Sequence, residues 1–91
     1  MGLFVITYDL AAEGQNYDCI IKKIKSYPAW AKLQQSVWIV ETPEKAKEIR
    51  DDLSGCLDSN DKLFVGKLTG EAAWWNQSDK FTKWFKECLT D

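Results

Sequence analysis

The stretch AWAKLQQSVWIVE, residues 29–41, decides the fold. It is rich in β-branched and aromatic residues and too long for one average strand. Gln34-Gln35 supplies a polar break, so the pattern predicts a hairpin with strands over 29–33 and 36–41. In the second of these, Val37 and Ile39 point one way and Trp38 and Val40 the other, because side chains alternate across a strand. A strand that is apolar on both faces must be covered on both faces.

Upstream, LFVITYDL (residues 3–10) has the composition of a buried strand, with Phe4, Ile6 and Tyr8 on one side and Val5, Thr7 and Asp9 on the other. Gly14 and Asn16 break it, and Asn16 is the expected N-cap of a helix whose apolar stripe is Tyr17, Ile20, Ile21, Ile24 and Tyr27. Lys22, Lys23 and Lys25 lie near the C-terminal end of that helix, where its dipole favours cations, and Pro28 is expected to end it. Downstream, Thr42 reads as an N-cap and Pro43 as the first helical residue. Ala46, Ile49, Leu53, Cys56 and Leu57 form the buried stripe of this second helix. A polar turn over 58–61 leads to a last strand over 62–68.

The resulting order is strand, helix, strand, strand, helix, strand. It predicts an α+β fold with a ferredoxin-like βαββαβ core: a four-stranded antiparallel sheet, both helices on one face, the other face bare. This core is expected over residues 1–69. Residues 70–91 form a C-terminal extension of the same domain. In it Ala72, Ala73, Trp74 and Trp75 make a short apolar run, and Ser78 caps a helix with the stripe Phe81, Trp84, Phe85, Cys88 and Leu89. The extension is apolar enough to dock on the bare sheet face, of its own chain or of a partner's.

The totals fit one domain: 91 residues, 45% apolar and 29% charged. Five Trp in so short a chain need a core, an interface or a ligand to cover them. Twelve basic and fourteen acidic residues give a net charge of −2, which weighs against a protein devoted to clamping nucleic acid. The absence of His removes imidazole catalysis and the commonest zinc ligand. Cys19, Cys56 and Cys88 match no metal or redox spacing and are expected to be reduced, mostly buried thiols of a cytoplasmic protein. No segment approaches the ~18 apolar residues of a membrane span, and no basic leader precedes the first strand.

The pairing of TYDL at the end of the first strand with KLQQSVWIVE before the second helix resembles the small CRISPR-associated Cas-two proteins and the related VapD-like toxins. The matching residues are Tyr8-Asp9 and Gln34-Gln35-Ser36-Val37-Trp38, and the resemblance covers about residues 1–69. It implies a homodimer linked to nucleic-acid metabolism or antiviral defence. Some members are magnesium-dependent endonucleases that hydrolyse phosphodiesters, and others are non-catalytic scaffolds. By that resemblance Asp9 would be the catalytic residue and the Mg²⁺ ligand, one from each subunit. The chain departs from the family just after Asp9. Basic residues are frequent there in the family, whereas this chain has Leu10-Ala11-Ala12-Glu13-Gly14, which weighs against phosphate binding and catalysis.

Taken alone, Asp9 suits either role open to a strand-end Asp. It can cap the following turn, or it can pair across a two-fold axis to hold a hard cation. Lys22, Lys23, Lys25 and Lys32, with Lys45, Lys47 and Arg50, are candidates for a nucleic-acid surface. The interspersed Glu44, Glu48, Asp51 and Asp52 favour an ordinary solvated face. Trp38, Val40, Trp74 and Trp75 are the expected dimer or partner contacts. The rival to the nuclease is a non-catalytic dimeric module that binds another protein through the same scaffold.

Overall fold

The computed structural model describes residues 1–11 and 17–89. Gly14 and the expected N-cap Asn16 lie outside the described residues. The element order is β1 (Gly2–Asp9), α1 (Asp18–Ile24), β2 (Ala29–Gln34), β3 (Val37–Thr42), α2 (Ala46–Ser54), β4 (Lys62–Leu68) and α3 (Asp79–Cys88). The four strands form one antiparallel sheet in the order β2-β3-β1-β4. No helix among the described residues is long and apolar enough to cross a membrane.

The hairpin forms where the polar break requires it. Gln34 pairs with Val37, leaving Gln35 and Ser36 as the turn, and Ser36 adopts a left-handed φ of 60°. A register shift between Lys32 and Gln34 marks a bulge in β2. Alternation along β1 and β3 then sorts the core into two layers. Phe4, Ile6, Tyr8, Trp38 and Val40 face α1 and α2, which contribute Ile20, Ile24, Ile49 and Leu53. Leu3 and Ile39 face α3, which contributes Phe81 and Phe85.

The second face is therefore covered by the chain's own tail. Gly70 turns the chain out of β4 with a φ of 67°, a conformation that costs other residues steric strain. The Ser78 hydroxyl then caps α3 by accepting the Phe81 N–H at 3.0 Å. Trp74 lies edge-on to Phe81 and Phe85, with centroids 6.0 and 5.0 Å away.

Several expectations need correction. α1 ends at Ile24, before Pro28, and Ser26 Oγ–H donates to the Lys23 carbonyl at 2.6 Å. Thr42 is not a helix cap: it belongs to β3, pairs with Gly2 and is 1% exposed. α2 starts later, where the Lys45 N–H donates to Glu48 Oε1 at 2.8 Å. Strand pairing with β1 holds Thr42 more firmly than its capping preference can. The thiols are not all reduced, since Cys19 and Cys56 form a disulfide with a Cα–Cα distance of 5.6 Å. Their separation of 37 residues concealed it. α1 and α2 lie side by side on one sheet face, and that brings the first turn of α1 to the residue just past the α2 cap. Disulfides persist in oxidising surroundings, so the cysteines no longer support a cytoplasmic location. Cys88 is free.

Candidate functional site

β1 carries the resembling Tyr-Asp pair to the end of the sheet. Its two side chains point to opposite faces, and their surroundings differ accordingly. Tyr8 is 6% exposed, and its hydroxyl accepts the Trp38 Nε1–H at 3.1 Å within the core. The Tyr8 N–H also donates to the Ser36 carbonyl at 3.2 Å. The two sequence motifs, far apart along the chain, thus meet at one point and hold each other in place. Asp9 points the other way and is exposed. Among the described residues no hydrogen bond or ion pair reaches its carboxylate.

Asp9 opens onto a shallow groove of about 180 Å³ shared with Thr7, Lys62 and Phe64. Lys62 is the ladder partner of Asp9. Antiparallel partners sit about 4.5–5.5 Å apart at Cα, which puts the two residues side by side on the sheet. Phe64, the ladder partner of Thr7, is 61% exposed at the same end of the sheet.

Asp61 shapes the neighbouring loop, a role the sequence reading missed. One carboxylate oxygen accepts the Ala11 N–H at 2.8 Å and the other accepts the Asp58 N–H at 2.8 Å. This ties the exit of β1 to the entry of β4. The Asp-Ser-Asn-Asp turn composition at 58–61 signalled a turn, but the bridge to Ala11 depends on tertiary proximity that composition does not carry.

The candidate lysines have different neighbours. Lys23 donates to the Asp52 carbonyl at 3.1 Å and lies 3.4 Å from its carboxylate, while Arg50 pairs with Asp51 at 2.7 Å. The acidic residues of α2 thus engage one cation from α1 and one of their own helix. Lys25 sits 5.1 Å over the Trp30 ring and Lys32 sits 5.8 Å over Trp38. Those two rings lean on each other at 5.8 Å. Lys22 is exposed at the surface of α1.

The expected interface splits as well. Trp38 and Val40 are 2% and 0% exposed beneath α1 and α2, and the chain's own helices cover them. Trp74 is half-buried against α3, where its Nε1–H donates to Thr82 Oγ1 at 2.9 Å. These three side chains pack within the chain itself. Trp75 alone of the four stands free, 89% exposed.

Cys88 lacks the surroundings that activate a thiol. Cys88 is half-buried, and burial first, then the Glu41 carboxylate, push its thiol above the ordinary range. A reactive thiol needs the opposite shift. Among the described residues no three His, Cys, Asp or Glu side chains gather as a metal site. The chain matches no protein-family model and no curated protein.

Proposed function

We propose that this chain is a ferredoxin-like protein of the Cas-two and VapD-like kind. It works as a homodimer in nucleic-acid metabolism or defence, and Asp9 from each copy holds one Mg²⁺ for phosphodiester hydrolysis. The fold part of this reading is supported by the strand order, which from the other edge runs β4-β1-β3-β2, with α1 and α2 on the same face. Two interleaved βαβ halves with crossovers of one hand produce that order.

The observation that carries the reading is the placement of Asp9. The motif partner Tyr8 is locked inward to Trp38, and the carboxylate is left in open solvent beside Lys62. One carboxylate per chain is a sparse donor set, but Mg²⁺ takes one or two carboxylates and keeps several waters. A two-fold axis doubles the set without any further residue. The chemistry such an ion supplies is a bound water of lowered pKa, which suits a chain without His. Lys62 provides the positive charge for a substrate phosphate that the residues after Asp9 lack.

The test is cleavage of single-stranded and duplex RNA and DNA by purified protein, with Mg²⁺ and with chelator, for wild type and Asp9→Asn. Mg²⁺-dependent cleavage that falls at least ~100-fold in Asp9→Asn supports the reading, since losing the ion removes several kcal/mol of transition-state stabilisation. Equal activity in the variant removes it.

A second reading is favoured by Trp75. An indole 89% exposed on a chain of net charge −2 suits a non-catalytic module that binds another protein. It requires no cleavage under any metal condition and loss of the protein partner in Trp75→Ala.

A further inference from the structure

We infer that the outer edge of β2 is a docking site for an extended acidic peptide, which adds a strand to the sheet. Among the described residues β2 is an edge strand, with β3 on one side and no strand on the other. A groove of about 520 Å³ runs along it, lined by the four consecutive residues Ala29, Trp30, Ala31 and Lys32. Side chains of consecutive strand residues alternate between faces. Four in a row can line one groove only along the strand's free edge, where the unpaired backbone N–H and C=O groups lie. The opposite wall is the first two turns of α3, with Phe81 and Trp84. The groove therefore offers a backbone ladder and aromatic surface beside it, as strand addition requires.

Charge selects the occupant. Lys32 and Lys80 line the groove, no carboxylate among the described residues does, and Lys25 stands over Trp30 just beside it. This local basic strip lies on a chain of net charge −2. It complements a strand bearing Glu or Asp. A second copy of β2 is a poorer occupant, because antiparallel pairing about a two-fold brings the two Lys32 ammonium groups close together. Single-stranded nucleic acid is also disfavoured. Base stacking needs a free indole, and the Trp30 ring already carries Lys25 and leans on Trp38. This inference is independent of the Asp9 reading.

The probe is a fluorescein-labelled peptide of about eight residues, one strand length, alternating Val and Glu. Fluorescence anisotropy is compared with an alternating Val and Lys peptide, with the acidic peptide carrying a central Pro, and with oligo(dT). Wild type is expected to bind the acidic peptide at least ~10-fold more tightly than the other three, with amide NMR shifts concentrated at residues 29–34. The double variant Lys32→Glu/Lys80→Glu should weaken that binding at least ~10-fold, and Lys47→Glu on α2 should leave it unchanged. All three side chains are exposed, so folding is not at stake. Absence of binding, equal binding of the Pro-interrupted peptide, indifference to the double reversal, or displacement of the peptide by oligo(dT) would each overturn the proposal.

Discussion

Replacing Tyr8 by Phe removes one oxygen atom and leaves the Trp38 indole N–H buried without its acceptor. An unsatisfied buried donor costs about 1–3 kcal/mol, so Tyr8→Phe should lower stability in urea by that amount while leaving Asp9 in place. Tyr27 makes a different statement, about pH. It is 6% exposed and donates to Asp52 Oδ2 at 3.1 Å. Burial first, and then the Asp52 charge, raise its pKa above the ordinary phenol value. The folded state therefore keeps this proton where the unfolded chain, titrating near pH 10, has lost it. The contribution is complete below about pH 10 and is lost as pH rises beyond it. Urea melts near pH 8 and pH 11 should show wild type losing more stability than Tyr27→Phe across that interval. At this scale the sequence was legible wherever alternation alone decides a direction, as for Phe4, Ile6, Trp38 and Val40. It was silent on Asp61 and Lys62, whose significance comes from which strand lies beside which.

Elements with strong periodicity read clearly. The hairpin, β4 and the α3 stripe of Phe81, Trp84 and Phe85 follow from strand and helix periods that local residues impose. The start of α2 did not, because Thr42 is a good cap by type yet is held in β3 by its pairing with Gly2. The Cys19–Cys56 link was hidden for a related reason: it joins α1 to the residue just past the α2 cap, and the adjacency of those two helices is a property of the sheet, not of either segment. It closes a loop of 37 residues, for which chain-entropy arguments give about 3–4 kcal/mol. Urea unfolding with and without dithiothreitol should differ by that amount, and Cys19→Ser/Cys56→Ser should be insensitive to the reductant. Gly70 governs the remaining element. With φ at 67°, Gly70→Val should cost about 1–2 kcal/mol and loosen α3 first, visible as faster amide exchange at Phe81 and Phe85 before the sheet is affected.

On the scale of the whole molecule, both faces of the sheet are clothed by one chain, α1 and α2 on one side and α3 on the other. A twin subunit is therefore not needed to hide apolar surface, and dimerisation has to be motivated by the site. The end of the sheet bearing Asp9, Lys62 and exposed Phe64 is the region that a second copy would complete. The sequence could indicate that a greasy face needed cover but not which segment would provide it, since that depends on the reach of residues 70–78 over the strands. If two copies meet at Asp9, the number of ions per chain is fixed by symmetry. Equilibrium dialysis against Mg²⁺ measures it: wild type should bind one ion for every two chains and Asp9→Asn should bind none. One ion per chain, or the same uptake by the variant, would contradict a site shared across a two-fold axis.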